Sequence, residues 1–384
     1  MHRYFQELKS FFRKGDLVLL SLCLIASAFG CVVIASATNP MGYMRFLIVQ
    51  ILAIVLGALF YIAISALDVD FLSEHRRALV VFNIIFLLML IPFGTDNDTG
   101  NRSWLDFPFL PIDIQPAEIC KITFILIMAS VMNAYQNRIS SWKSVLHMAF
   151  HLILLVGLNM VLSKDAGVSL IFVFIFIGMA FAGGVSMIWF LLGAGAVVAA
   201  APILWTRFMD DYQKVRIQIL YDPSIDPQGI GARWHSKQSL LSLTGGGLTG
   251  QGLFQGTRTQ TDSLFAQHTD YIFSTIGEEL GFIGCMVVIL LLLAIIARCI
   301  YVGIHSQEYM RRVICFGAAA ALIFQVCSNI GMCIGVTPVI GLTLPFISYG
   351  GSSTVSLYAM LGLVSGVHAR PAADSHERYI QPPR

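Results

Sequence analysis

Ten runs of about twenty apolar residues follow one another along the chain, and no other feature restricts its fold so strongly. They lie near 17–37, 45–67, 78–94, 116–135, 145–163, 166–184, 186–206, 271–300, 313–337 and 343–367. Each is long enough for a helix to cross a hydrocarbon core ~30 Å thick. Backbone in lipid must satisfy its own hydrogen bonds, so runs of this length read as helices. The expected fold is an all-α polytopic integral membrane protein with ten transmembrane helices. Of the 384 residues, 57% are hydrophobic and only 12% are charged, where a soluble domain carries roughly 25% charged residues. A net charge of +2 gives no basis for nucleic-acid binding. The eight cysteines fall in or beside the apolar runs, with no C-x-x-C and no metal-type spacing, and read as small core side chains.

Lysine and arginine placement orients the spans. Arg3, Lys9, Arg13 and Lys14 precede the first run as in a signal peptide. That run exceeds the ~7–15 apolar residues of a cleaved signal, so it reads as a first transmembrane helix. With residues 1–16 inside, the same side collects Arg76, Arg77, Arg138, Lys143, Arg298, Arg311, Arg312, Arg370, Arg378 and Arg384. Short loops on the other side hold only Arg45, Arg102 and Lys164. Both termini are therefore expected in the cytoplasm, including the tail 368–384, and residues 1–384 read as one membrane domain.

The large insertion 207–270, between the seventh and eighth spans, then faces outward. It carries Tyr212-Gln213-Lys214-Val215-Arg216, the glycines 245–247, 250 and 252, and it ends on Gln267-His268-Thr269-Asp270. A polar insertion at a bilayer surface suits chemistry on a lipid-linked substrate, although a solvated loop has the same composition. A second outer loop, 95–115, carries Asp96, Asp98, Asn101, Arg102, Trp104 and Asp106. At the short turn Ser163-Lys164-Asp165, the lysine is expected to snorkel to water.

Charges inside apolar spans cost at least ~2.5–3.5 kcal/mol each at a helix centre unless paired or hydrated. Glu118 and Lys121 stand three residues apart at the start of the fourth span, after Pro116. They share a helix face, which permits either a structural ion pair or a polar cavity presenting Lys121 to an anion. Glu278 and Glu279 repeat the theme in the eighth span, whereas Gln325 and Asn329 suit interhelical hydrogen bonding. Pro338 and Pro345 bracket an interrupted segment leading into Ser348-Tyr349-Gly350-Gly351-Ser352-Ser353.

Several stretches carry a resemblance: Gln115-Pro116-Ala117-Glu118-Ile119-Cys120-Lys121, His268-Thr269-Asp270-Tyr271-Ile272-Phe273, Gly277-Glu278-Glu279-Leu280-Gly281, Asn329-Ile330-Gly331-Met332 and Leu344-Pro345-Phe346-Ile347-Ser348-Tyr349-Gly350-Gly351. In these the chain resembles the SEDS family, the group of RodA, FtsW and SpoVE, over nearly its whole length, with the RodA-like members favoured. The resemblance implies ten helices and a peptidoglycan glycosyltransferase that polymerises lipid II on the outer face of a bacterial cytoplasmic membrane. It implies Asp270 as the catalytic acidic residue, Glu118 and Lys121 as a polar pair in the central cavity, and Arg216 as a basic position early in the loop. His268 joins them as a substrate-side candidate, although a lone histidine beside a span also serves as an interfacial hydrogen-bonding group. The implied partner is a class B penicillin-binding protein, a single-span transpeptidase. Two departures from the family's patterns stand out. Leu264-Phe265-Ala266-Gln267 replaces Leu-Pro-Glu-Ala, and Ser163-Lys164-Asp165-Ala166-Gly167 replaces Gln-Pro-Asp-Leu-Gly.

Chemically, Asp270 would act as general base in an inverting transfer, with Lys121 and Arg216 on the diphosphate. The loop's carboxylates allow a divalent cation, Mg or Mn, while no ligand spacing demands one. Two competing readings share the composition. One is a flippase for lipid-linked cell-wall precursors, and the other is an assembly scaffold.

Overall fold

A computed structural model of the chain describes residues 15–67, 75–95, 102–106, 113–231, 233–261, 263, 264 and 266–370. Each of the ten apolar runs contains a helix. Before the insertion come α1 (Leu17–Ala37), α2 (Met44–Ala66), α3 (Arg76–Leu88, extended by Leu90–Phe93) and α4 (Pro116–Ala134). They are followed by α5 (Trp142–Leu162), α6 (Ala166–Ala182) and α7 (Met187–Ile203, continued by a π turn at Leu204–Phe208). The insertion holds α8 (Asp211–Tyr221) and α9 (Trp234–Gly246), and after it come α10 (Ile272–His305), α11 (Tyr309–Cys333) and α12 (Gly351–Ala369). Among the described residues, eight helices are long and apolar enough to cross a membrane. The other two helices in apolar runs are α6, which is 17 residues long, and α12, which is rich in serine and glycine. The protein is a predominantly helical polytopic membrane protein, with one short antiparallel pairing of Gly94–Thr95 with Trp104–Leu105. Arg3, Lys9, Arg13, Lys14, Asp96, Asp98, Asn101, Phe265, Arg378 and Arg384, which figured in the sequence reading, lie outside the described residues.

The helices are buried to very different degrees. α4, α11 and α12 bury most of their residues and form the centre. α12 lies close against α2 because small residues face it: a Cβ at Gly362 would stand 2.8 Å from the Tyr61 carbonyl. At the opposite extreme, α7 buries none of its residues. A polar knot ties the helix ends on the far side from the insertion. Asp16 caps α1 through Leu19 N, pairs with Arg298 Nε at 2.8 Å, and accepts from Tyr61 Oη at its carbonyl.

The structure redraws three of the expected segments. The last span begins at Gly351 rather than near 343, because residues 334–350 form an irregular segment between α11 and α12. It packs against α1 at Gly30 and α6 at Gly167, where Ile347 O and Ile340 O occupy the space a Cβ would need, and residues 344–348 are buried. Irregular backbone survives at membrane depth only where protein or a cavity surrounds it. The eighth span is broken at Gly281, whose φ of 68° and ψ of −165° are not helical. The insertion repairs the break: Gln251 N and Gly252 N donate to the Glu278 and Glu279 carbonyls, and Phe282 N and Ile283 N donate to Gly247 O and Leu248 O. Lastly, the insertion is no open loop. α8 starts on an Asp210–Gln213 capping box. α9 packs on α10 so closely that a Cβ at Gly246 would meet the Gly277 carbonyl at 1.8 Å.

Candidate active site

Pro116 at the first turn of α4, where no backbone donor is lost, sets the helix going just before its charged pair. Glu118 and Lys121 are buried, at 4% and 3% exposure, and Lys121 Nζ stands 2.8 Å from Glu118 Oε1. From α12, Ser356 Oγ donates to Glu118 Oε2 at 2.5 Å. The spacing of three thus gives the ion pair it permits, locked by a second helix. In so dry a position the pair is a unit: removing one partner of a buried pair costs about 3–5 kcal/mol.

Asp165 joins this pair. Its Oδ1 accepts from Val168 N at 3.0 Å and so caps α6, and its Oδ2 accepts from Gln115 Nε2 at 3.2 Å, one residue before α4. Burial raises its carboxyl above the ordinary range; the helix-start amides and Lys121 pull it down, while Glu118 pushes it up. Lys164 beside it is exposed. Asp165 is not among the site residues expected from the sequence. The signal available was the aspartate retained where Gln-Pro-Asp-Leu-Gly is otherwise replaced.

Asp270 sits in the turn before α10. Three successive carbonyls of that turn are held from outside. His268 O accepts from Tyr349 N at 2.9 Å, Thr269 O from Ser348 Oγ at 2.6 Å, and Asp270 O from Asn329 Nδ2 at 2.8 Å. Burial pushes the Asp270 carboxyl up to about 6, against the attraction of Arg216 and with a further push from Asp165. Arg216 reaches in from α8, and its guanidinium donates to Val339 O at 2.8 Å. Asp270, Arg216, Asp165, Glu118 and Lys121 therefore form one electrostatically connected cluster at the insertion-side ends of α4, α6 and α10. His268 is placed differently. Its ring packs edge-on against Phe46, with centroids 5.1 Å apart, and lies 5.7 Å from Tyr349, forming an aromatic wall beside the turn.

Glu278 and Glu279 serve the insertion's fold. Glu278 accepts from Arg258 N, Thr259 N and Thr259 Oγ1, and Glu279 accepts from Ser36 Oγ, Gly256 N and Gln260 Nε2. Gln267 Nε2 continues the chain, donating to Thr259 O and Ala37 O. Among the described residues, no group of three or more His, Cys, Asp or Glu is gathered as a metal site. Two carboxylates of the cluster are engaged already, Glu118 by Lys121 and Ser356, and Asp165 by Gln115 and Val168 N.

Residues 16–372 match the family model described as cell cycle protein, FtsW/RodA/SpoVE. The chain is 33% identical over 356 residues to the peptidoglycan glycosyltransferase MrdB of Escherichia coli K12, covering 92% of this chain and 93% of that one. It is 32% identical over 370 residues to the "Probable peptidoglycan glycosyltransferase FtsW" of Trichlorobacter lovleyi, covering 93% and 94%. Among solved structures, it is similar to a chain of a peptidoglycan synthase complex studied for the coordination of polymerization and crosslinking. The TM-score there is 0.79 at 29% identity, over 94% of this chain and 99% of that chain. The rod shape determining protein RodA of Thermus thermophilus matches with a TM-score of 0.69 at 26% identity, over 94% and 98%.

Proposed function

The chain belongs to the FtsW/RodA/SpoVE family of cell cycle proteins, and we propose on that footing that it is a peptidoglycan glycosyltransferase polymerising lipid II. The observation that carries the reading is the cluster itself: one carboxyl raised to about 6 beside Arg216, and linked through Asp165 to the Glu118–Lys121 pair, all at one side of the bundle. In this reaction the acceptor hydroxyl oxygen attacks the anomeric carbon of the donor sugar, and its proton passes to Asp270. The bond to the diphosphate breaks, and undecaprenyl diphosphate leaves. A positioned base contributes about 10²–10⁴-fold in rate. An α-linked donor giving a β-linked product requires one inverting displacement, so no covalent sugar–enzyme species forms.

The leaving diphosphate gains charge as the bond breaks. Lys121, with one N–H on Glu118 and others to offer, and Arg216 supply fixed positive charge where water is scarce. No step is assigned to a divalent cation. The aromatic wall of Phe46, His268 and Tyr349 borders the base and offers apolar faces to sugar rings. A flippase would need its charges strung along a path to the opposite face, whereas these gather at the insertion side.

Under this reading the insertion faces the outside of a bacterial cytoplasmic membrane and both termini face the cytoplasm. The partner is a class B penicillin-binding protein that cross-links the strands as they form. The test is polymerisation of purified lipid II by the purified protein, alone and with its cognate transpeptidase. Glycan polymer is expected, made faster in the complex; lipid II left intact in both would overturn the reading.

A further inference from the structure

The irregular segment between α11 and α12 gathers the site's scattered parts within four residues. Val339 O takes the Arg216 guanidinium. Ile340 O presses on Gly167, two residues past Asp165, where a Cβ would stand only 2.6 Å away. Gly341 adopts a φ of +69°, which favours glycine, and a Cβ built on it would stand 3.7 Å from Asp270 Oδ2. Leu342 O accepts from Asn329 Nδ2 at 2.7 Å. That same nitrogen donates to Asp270 O at 2.8 Å.

Asn329 is fully buried near the end of α11, and both hydrogens of its amide are committed, one to the residue that carries the carboxylate and one to the segment that carries the rest. Its Oδ1 has no hydrogen-bond partner. A buried amide oxygen without a partner carries a desolvation cost. A simple helix-packing role is served better by an apolar side chain of the same size, so the geometry of the two donors is what recommends asparagine here.

We propose that Asn329 is a positioning residue for Asp270, fixing the carboxylate in register with Arg216 and the α6 helix start by bridging the Asp270 and Leu342 carbonyls. The proposal rests on the assignment of Asp270 as general base. Ser348 and Tyr349 hold the two preceding carbonyls, so loss of Asn329 loosens only the last link, the one nearest the carboxylate, and leaves the Asp270 carbonyl with the long Cys333 Sγ contact at 3.8 Å alone. A base displaced by about 1 Å costs on the order of 10²-fold in rate.

The experiment measures kcat and KM for lipid II polymerisation by the full chain in complex with its transpeptidase, normalised to folded protein. The variants are Asn329→Ala, Asn329→Ser and Asp270→Asn. Asn329→Ala is expected to lower kcat about 30-fold or more while KM stays within about twofold. Asn329→Ser, which keeps one donor, is expected to recover part of the loss, and it decides the matter if the alanine variant does not fold. Wild-type kcat per folded molecule in both Asn329 variants, or a raised KM at unchanged kcat, overturns the positioning role. The base assignment then stands alone, provided Asp270→Asn is inactive. An active Asp270→Asn removes the base assignment, and this inference falls with it.

Discussion

Asp270 holds its proton to about pH 6 because burial disfavours its charge more than Arg216 favours it. A general base must be ionised to work, so polymerisation should rise with pH through about 6 and level off above it. Initial rates between about pH 4.5 and 8.5 should show that limb. Arg216→Gln removes the attraction that holds the carboxyl down, so the limb should move to higher pH, and an unmoved limb would show that the two groups do not interact. Glu118 and Lys121 call for a different test. Lys121→Ala leaves Glu118 buried without its cation, at a cost of about 3–5 kcal/mol. Exchanging the two residues should restore much of that stability, read as a melting temperature, yet leave polymerisation lost, because under the proposed role the ammonium would no longer face the diphosphate. A fully active exchanged protein would reduce the pair to a structural one. The pair was legible in the sequence because helical spacing alone brings the residues together. Asp165 was not legible as a site residue, since its tie to Gln115 spans fifty residues and depends on how α4 packs beside α6.

The elements were readable to the extent that hydropathy governs them. Apolar runs fixed where the helices lie, and most ends fall within a few residues of the expected positions. What hydropathy does not register is a break repaired by another part of the chain. α10 reads as one continuous run, but at Gly281 its freed backbone groups are paired by residues 247–252 of the insertion. The start of α12 was masked for a related reason, as apolar residues such as Leu344, Phe346 and Ile347 pack inside the protein without being helical. The repair makes the insertion's order depend on the two glutamates that anchor it. Glu278→Ala strands three donors, Arg258 N, Thr259 N and Thr259 Oγ1, at ~1–3 kcal/mol for each that stays buried and unpaired. The melting temperature should fall by several degrees, and protease cleavage within 247–261 should rise. Unchanged cleavage would mean that the strap is held elsewhere.

Taken whole, the molecule is a helical bundle whose cluster of Asp270, Asp165, Arg216, Glu118 and Lys121 lies on one side, where the insertion folds back, with α7 standing apart, buried nowhere. That one-sidedness gives the topology its weight: the site works on the outer leaflet only if the insertion is outside. A cysteine introduced as Ser263→Cys should react with an impermeant thiol reagent in intact cells, and Ser375→Cys should not. The opposite pattern would move the active site to the cytoplasm. The proposed reaction depends most heavily on one carboxylate. Asp270→Asn preserves size and the hydrogen bond its carbonyl accepts from Asn329, and removes its basicity together with its charge. The decisive measurement is polymer formed from purified lipid II by the Asp270→Asn protein in complex with its transpeptidase, matched for folded amount to wild type. The prediction is no detectable glycan polymer with partner binding retained, and polymerisation near the wild-type rate would contradict it.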